Sequence, residues 1–287
     1  MRTRRRTPWP SRVPLNPHPG PPAAVERGRV AVTFIGHSTF LIRTATTVII
    51  TDPVFTPRAG PFGRMGPPRA RPPGIAPSAL PPVDLVLVSH NHYDHLQPSS
   101  LRLFADRASY VAPMGVGSQL SLPPLRRKIE ELDWWQSTTA AGAEITCVPA
   151  QHFSARTAWD RDRTLWCGYV VRVDGVTLYF AGDSGYSPQF GDIGRRCPSI
   201  DVALMPIGAY EPRWFMTPVH MNPEEAVRAH LDVRAHVSIG MHFGTFQLTD
   251  EAIDEPLRAL ERARTAHGVS DDAFRVLDFG ETNIFGE

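Results

Sequence analysis

Four side chains of the kinds that bind metal ions lie within six residues of this sequence, in the run His90-Asn91-His92-Tyr93-Asp94-His95. The run follows residues 83–88, a short apolar segment bounded by proline and histidine that is typical of a buried strand. One metal ion cannot comfortably take all four donors, whereas two ions about 3.5–4 Å apart can share them. Imidazole and carboxylate donors favour zinc, with manganese or iron less favoured. The run therefore predicts a two-metal site at the end of a strand.

Three further residues follow predicted strands and complete the set of donors, namely His152, Asp183 and His242. The spacing assigns one metal ion to His90, His92 and His152, and the second to Asp94, His95 and His242, with Asp183 as the bridge. Two divalent charges lower the pKa of a bridging water to near neutrality, so the expected nucleophile is a hydroxide. Asp94 and Asp183 are therefore expected to be catalytic as well as ligating. The three cysteines, Cys147, Cys167 and Cys197, have no recognisable base partner.

The remaining pattern predicts an α/β (α+β) chain with two batches of strands, each interleaved with helices. Strands are predicted at 30–35, 39–43, 47–51, 83–88, 109–112, 145–148, 166–173, 177–181, 202–206 and 237–241. Helices are predicted at about 99–105, 115–120 and 249–264, and a further helix opens with Asn222 as N-cap and Pro223 at its first position. Two mixed sheets packed together, with helices outside, suit this order.

Two segments are rich in proline. Residues 1–28 predict a disordered leader ahead of a single domain at 29–287, and the leader's first 25 residues hold five arginines and no acid. Such an arm is either a solvated tail or a peripheral contact with anionic membrane. Residues 56–82 hold nine prolines and predict a lid or the wall of a binding groove.

Composition narrows the partners and the compartment. A net charge of +1 with one short basic arm argues against a nucleic-acid partner. Three cysteines without close spacing indicate reduced thiols, and no apolar run approaches the roughly 20 residues of a membrane span. The expected location is the cytoplasm, at the inner face of the membrane if the arm binds lipid. The sequence leaves the oligomeric state undecided, and a homo-oligomer is one of the alternatives.

The sequence resembles the N-acyl-phosphatidylethanolamine-hydrolysing phospholipase D family, a branch of the metallo-β-lactamase superfamily, in a bacterial-type form. The likeness covers nearly the whole chain after the leader, at residues 35–38, 51–55, 71–73, 89–96, 131–135, 180–186, 206–216, 222–227 and 242–246. The stretch 207–216 is more specific than the metal ligands, which the whole superfamily shares. The resemblance implies a four-layer αβ/βα metallo-β-lactamase sandwich, two zinc ions, and hydrolysis of N-acyl-phosphatidylethanolamine to N-acylethanolamine and phosphatidic acid.

The resemblance also implies roles outside the set of ligands. His220 is expected on the substrate side, where it hydrogen-bonds the phosphate or protonates the leaving alkoxide. Asp52 is expected to be a carboxylate behind the ligands that fixes their loop. Tyr93, Tyr210 and Arg213 are expected to line the substrate site. Val219 stands where the family often carries glutamine, so acyl-chain and headgroup preference stay open.

Other functions share parts of this pattern. A lactonase or a broad-specificity phosphodiesterase acting on a soluble substrate would use the same fold and ligands. An open apolar groove beside the metals would favour lipid, whereas a small closed polar pocket would favour a lactone. The intact set of donors argues against a non-catalytic metal-binding or regulatory protein. The absence of both an inserted domain and a basic surface argues against a nuclease, and a histidine at position 92 argues against a redox di-iron protein.

Overall fold

Two seven-stranded sheets form the body of the protein in the computed structural model, which describes residues 6–119 and 129–286. The first sheet contains β1 (Val30–Gly36), β2 (Thr39–Arg43), β3 (Val48–Thr51), β4 (Leu85–Leu87), β5 (Ser109–Pro113), β6 (Ile129–Leu132) and, at its edge, β14 (Thr282–Phe285). The second sheet contains β7 (Ser137–Ala140), β8 (Ala143–Val148), β9 (Gly168–Val173), β10 (Val176–Phe180), β11 (Val202–Pro206), β12 (Val237–Met241) and β13 (Phe274–Arg275). The spatial orders are β14-β1-β2-β3-β4-β5-β6 and β13-β12-β11-β10-β9-β8-β7. Each sheet combines antiparallel with parallel pairs.

The described residues form five α-helices outside the sheets: α1 (Pro98–Leu101), α2 (Gln189–Arg196), α3 (Arg213–Met216), α4 (Pro223–Val233) and α5 (Glu255–His267). Short 3-10 turns lie at Pro61–Gly63, Pro77–Ala79 and Arg102–Phe104. The predicted start of α4 is confirmed, because the Asn222 side chain accepts a hydrogen bond from the Glu225 backbone N–H. The Glu225 carboxylate in turn accepts one from the Asn222 backbone N–H, which completes a capping box.

The buried side chains form four layers. Phe34 of β1 faces the second sheet, whereas Leu41 of β2 faces the opposite way and packs with Leu101. On the second sheet, α4 packs against β11, and α5 packs against α4. Strands buried on both faces read as nearly continuous apolar runs, which is why the sequence shows them so clearly. The prediction of a four-layer αβ/βα sandwich is confirmed.

Most predicted strands agree with the observed bounds to within one or two residues, and 39–43, 202–206 and 237–241 agree fully. The predicted helix at 115–120 is wrong for its described part, because residues 115–119 form turns and Gly115 has a left-handed φ of +86°. Leu120 lies outside the described residues. The last helix begins at Glu255 rather than 249, because Pro256 suits the first turn of a helix and residues 249–254 are irregular.

The N-terminal segment is irregular but lies against the body. Residues 6–28 contain no helix or strand. The Trp9 indole N–H donates to the Glu251 carbonyl at 2.8 Å, and the Val13 N–H donates to the Ala70 carbonyl at 2.8 Å. A fully solvated tail therefore does not describe these residues, whereas Arg2, Arg4 and Arg5 lie outside the described part. No helix among the described residues has the length and apolar content needed to cross a bilayer.

Candidate metal centre

The predicted ligands converge where strands of both sheets end. The loop that carries His90 and His95 follows β4, while His152, Asp183 and His242 follow β8, β10 and β12. Strands β10, β11 and β12 are parallel, so their carboxyl ends meet at one edge of the sheet. Loops at one end of a rigid sandwich can therefore bring together side chains that are far apart in sequence.

The first group of donors consists of three histidines, His90, His92 and His152. His92 Nδ1 lies 2.9 Å from His90 Nε2 and 3.1 Å from His152 Nε2. The His152 ring is oriented from behind, because its Nδ1 lies 2.9 Å from the Val219 carbonyl oxygen. A proton on Nδ1 donates to that carbonyl and leaves the Nε2 lone pair for a metal ion.

The second group combines two histidines with two carboxylates. His95 Nε2 lies 3.6 Å from Asp94 Oδ2 and 3.1 Å from Asp183 Oδ2, and His242 Nε2 lies 3.4 and 3.0 Å from the same two oxygens. A tetrahedral zinc ion with bonds of about 2.0–2.1 Å needs ligand atoms about 3.3 Å apart. The four atoms therefore have the spacing of a zinc coordination shell.

Asp183 lies between the two groups. Its Oδ2, which contacts the second group, is also 4.0 Å from His90 Nε2 and 3.9 Å from His152 Nε2 in the first. Its Oδ1 is buried and has no hydrogen-bond partner among the described residues. Asp183 Oδ2 thus lies within 4.0 Å of donor atoms in both groups, the position that a bridging carboxylate would need.

Several donor atoms of the cluster are close together without hydrogen-bonding one another, which suits bound cations. His95 Nε2 and His242 Nε2 are buried near Asp183 Oδ2, but neither makes a hydrogen bond within the described parts of the chain. A buried polar atom without a partner costs about 1–3 kcal/mol, so such atoms at one point indicate a bound group. The two donor groups therefore fit a pair of divalent cations held by imidazole and carboxylate.

The electrostatics of the first group suit metal binding. Burial lowers the pKa of His90 well below its ordinary value, that of His92 to about 4 and that of His152 to about 3. These histidines are therefore neutral near pH 7, and a neutral imidazole is the form that binds metal.

The second group concentrates negative charge. Burial would raise the pKa of Asp183, but His242 and His95 hold it well below its ordinary range, so Asp183 is ionised. Burial would lower the pKa of His242, yet Asp183 holds it at about 9. The proton on His242 supplies positive charge where a metal ion would otherwise supply it, and metal binding would release this proton.

Asp52 contacts the ligand loop from behind. Its Oδ2 lies 2.6 Å from His95 Nδ1 and accepts a hydrogen bond from the Ser89 hydroxyl at 2.5 Å. Its Oδ1 accepts one from the Ser89 backbone N–H at 2.7 Å. Asp52 thus connects the end of β3 to the start of the loop and directs His95 Nε2 toward the metal centre.

One side chain of the cluster, His37, is absent from the predicted set. His37 follows β1, is buried, and lies with Asp94, His95 and His242 in one group of donor atoms. Its Nε2 is 2.9 Å from Asp94 Oδ2. The available sequence signal is the pattern of a strand followed by histidine, the same pattern that identifies His90 and His242.

His220 and Tyr93 lie at the cluster. The His220 ring is centred 5.0 Å from that of His152, and its Nε2 is 3.9 Å from Asp183 Oδ2. Burial lowers the pKa of His220 to about 3. Tyr93 is partly exposed beside the ligands, and the Arg156 guanidinium lies 4.0 Å from its ring centroid.

The structure places Arg213 and Tyr210 differently from the prediction that they line the substrate site. The Arg213 guanidinium donates to the His220 carbonyl at 2.9 Å and to Glu225 Oε2 at 2.7 Å, so it holds the loop instead of facing the ligands. Tyr210 is buried and lines a separate cavity of about 610 Å³ between α4 and α5. The cavity at Tyr210 contains none of the metal-centre donors, so it lies apart from the candidate site.

A smaller groove of about 270 Å³ adjoins the ligand loop at Tyr93. Pro61 and Phe62 form one wall and come from the proline-rich segment 56–82, as predicted for that segment. Pro98 adds further apolar surface. The polar and charged lining residues are Gln97, Ser99, Arg102 and Arg156. The groove is thus an apolar surface with two positive charges beside the metal centre.

The two mixed sheets and the donor cluster together define the metallo-β-lactamase type of fold and site. Residues 47–243 match the family described as the Beta-lactamase superfamily domain, and the chain belongs to that superfamily. Among solved structures, a metallo hydrolase from the hyperthermophilic archaeon Ignicoccus hospitalis superposes with a TM-score of 0.67 at 24% identity, covering 90% of this chain and 99% of that one. This likeness shows the shared fold.

Several curated proteins are more similar in sequence. An uncharacterized protein of Mycobacterium tuberculosis is 41% identical over 249 residues, which cover 84% of this chain and 66% of that protein, just under two thirds of its length. An N-acyl-phosphatidylethanolamine-hydrolyzing phospholipase D of Caenorhabditis elegans is 36% identical over 263 residues, covering 87% of this chain and 74% of that enzyme. A UPF0173 metal-dependent hydrolase of Opitutus terrae is 33% identical over 257 residues, covering 88% and 98%.

Proposed function

We propose that the protein is a dinuclear zinc phosphodiesterase of phospholipase D type, which hydrolyses N-acyl-phosphatidylethanolamine to N-acylethanolamine and phosphatidic acid. The observation that carries the proposal is the groove beside Tyr93, which joins apolar surface at Phe62 to the exposed Arg102 guanidinium. Arg156 adds positive charge there, although its Nη1 already donates to the Asn91 and Leu96 carbonyls. A phospholipid offers apolar chains next to an anionic phosphate, and arginine is well suited to bind phosphate. The 36% identity with the nematode phospholipase D supports the same substrate.

The residues of the centre have distinct parts in this proposal. His90, His92 and His152 would hold one ion, and Asp94, His95 and His242 the other, with Asp183 between them. Two bound divalent ions would neutralise the phosphate oxygens and supply a deprotonated water near pH 7. Tyr93 and the groove would orient the lipid so that its phosphate lies over the centre.

Hydrolysis adds water across the bond between phosphorus and the ethanolamine oxygen. The water oxygen ends on phosphatidic acid, and one water proton ends on the N-acylethanolamine hydroxyl. His220 is buried at the centre, with its Nε2 3.9 Å from Asp183 Oδ2. From there it would donate a hydrogen bond to a phosphate oxygen or carry the proton to the leaving oxygen.

A substrate panel tests the proposal. Zinc-loaded protein would be given N-acyl-phosphatidylethanolamine, phosphatidylcholine, a soluble bis-aryl phosphodiester and a lactone, in water enriched in oxygen-18, with products identified by mass. We expect N-acylethanolamine, together with labelled phosphatidic acid. Preferred opening of the lactone, or turnover of the soluble diester alone, would favour the alternative of a soluble substrate. Asp183→Asn prepared in parallel excludes a contaminating enzyme.

We also propose peripheral contact with anionic membrane through the basic N-terminal arm, because Arg6 and Arg12 are exposed in the described part of that arm. Each basic residue near an anionic surface contributes about 1 kcal/mol, and salt weakens the attraction. Sedimentation with vesicles that contain or lack phosphatidylserine measures this contact. Binding that depends on neither phosphatidylserine nor salt would contradict it.

A further inference from the structure

His37 contacts the metal centre from the turn between β1 and β2. Its backbone has a left-handed φ of +60°, and its carbonyl oxygen accepts a hydrogen bond from the His242 N–H at 2.8 Å. The His37 and His242 rings are centred 4.0 Å apart. The side chain is therefore fixed at both its backbone and its ring, with Nε2 directed at Asp94 Oδ2, 2.9 Å away.

We propose that His37 is a positioning residue, which donates its Nε2–H to Asp94 and fixes that carboxylate for the second metal ion. The other four donors of this group already have the spacing of a tetrahedral shell. His95 and His242 each contact both Asp94 and Asp183, whereas His37 makes an ion-pair contact with Asp94 but none with Asp183 in the described structure. Although His37 belongs to the same cluster of possible donors as Asp94, His95 and His242, its contact with one carboxylate rather than both leads us to place it behind Asp94 and outside the shell.

The hydrogen-bonding capacity of His37 agrees with this role. Its Nδ1 is buried and has no partner among the described residues, so the bond to Asp94 is the one hydrogen bond that its ring makes with them. A neutral imidazole carries a single N–H, and placing it on Nε2 satisfies the Asp94 oxygen. The second ion's two ligands from the histidine-rich loop are then each fixed by a neighbouring strand end, Asp94 by His37 and His95 by Asp52.

This inference rests on the two-metal centre of the proposed function but not on the identity of the substrate. The inference predicts an effect on the second metal ion alone, because His37 contacts donors of the second group and none of His90, His92 or His152. Residues that orient metal ligands from behind change metal affinity by about 10–100-fold when they are replaced. Loss of the His37 donor is therefore expected to weaken one of two binding steps.

Three variants test the assignment: His37→Leu removes the donor, His37→Gln offers an amide N–H near the position of Nε2, and His230→Gln replaces a buried histidine that instead contacts Ser238. Metal-free proteins would be titrated with Zn²⁺ against a competing chelator to obtain both dissociation constants. We expect about 10–100-fold weaker binding in one step for His37→Leu, recovery of most of that loss in His37→Gln, and no change in His230→Gln.

Each alternative has its own result. Wild-type affinity in His37→Leu would show that the contact positions nothing. Equal losses in His37→Leu and His37→Gln, with a changed visible spectrum of the Co²⁺-loaded glutamine variant, would make His37 a direct ligand and overturn the proposal. If His37→Leu does not fold, His37→Asn, with its shorter side chain, replaces it in the comparison with His37→Gln. Failure of the wild-type protein to bind two ions would instead refute the two-metal centre itself.

Discussion

Asp52 and His95 come from different strand ends and meet at 2.6 Å, between Asp52 Oδ2 and His95 Nδ1. Asp52 is fully buried, and its carboxylate also accepts hydrogen bonds from Ser89, the residue that precedes the ligand run. A carboxylate at this position selects the His95 tautomer with its proton on Nδ1, so that Nε2 can bind metal. We therefore expect the metal centre to depend on Asp52, although Asp52 is not itself a predicted ligand.

Asp52→Asn should weaken metal binding by about 10–100-fold, because an amide can donate as well as accept and no longer selects one tautomer of His95. Metal content after dialysis against a weak chelator measures the loss. Asp84→Asn is the matched control, since Asp84 bonds Val48 and Arg107 away from the centre. Equal metal retention in both variants would refute the role of Asp52.

Asp183→Asn should lower turnover by more than about 100-fold, because the bridging carboxylate contacts donors of both groups. Zinc binding to the native state should also stabilise the wild-type protein, by about 4 kcal/mol at a thousandfold excess over Kd. Thermal unfolding with and without zinc measures this effect. Near-wild-type activity and a full zinc-induced shift in Asp183→Asn would contradict the bridge.

Local patterns made most of the centre predictable from sequence. His90 and His242 follow apolar strands that are readable because both faces are buried. His152 follows β8, where buried residues alternate with more exposed ones until the end of the strand. Short or exposed strands such as β7 and β13 escape prediction, because they carry too few apolar residues to show a period.

Contacts between distant residues account for what sequence reasoning missed. His37 reaches Asp94 across 57 positions. The strand before His37 marks it as a possible donor, but nothing in the local sequence identifies Asp94 as its partner. Arg213 is a similar case, because an arginine near a substrate histidine suggests phosphate binding. Only the fold shows that Glu225 and the His220 carbonyl already occupy its guanidinium.

His220→Ala should lower the rate of phosphodiester hydrolysis by about 10²–10⁴-fold while both metal ions remain bound, because the proposed mechanism uses His220, 3.9 Å from Asp183, to contact the substrate. Single-turnover kinetics and metal analysis on the same preparation separate the two effects. Metal loss that accompanies the loss of rate would identify His220 as a ligand.

Arg213→Ala should destabilise the folded state by about 1.5–3 kcal/mol, because charge-assisted hydrogen bonds to Glu225 and the loop backbone disappear. Unfolding in denaturant measures the loss. Arg258→Ala is the control, since its ion pair with Asp254 is exposed and contributes about 0–1 kcal/mol. A higher KM with unchanged stability would instead restore the predicted contact between Arg213 and substrate.

Phe62→Ser should distinguish a lipid substrate from a soluble one. Phe62 is 88% exposed at the wall of the groove, where a bound acyl chain would cover it. Covering part of a phenyl ring contributes about 1 kcal/mol, which corresponds to roughly a fivefold change in KM. We expect that change for N-acyl-phosphatidylethanolamine in vesicles and none for a soluble bis-aryl phosphodiester.

Leu103→Ser is the matched control for Phe62→Ser, because Leu103 is 54% exposed and lines a different cavity, beside Pro81 and Arg107. It should leave both KM values unchanged. Equal effects of Phe62→Ser on the lipid and on the soluble diester would show that the groove does not select acyl chains. The apolar wall would then contribute to the stability of the fold and not to substrate binding. A phosphodiesterase that acts on a soluble substrate would become the better description of this site.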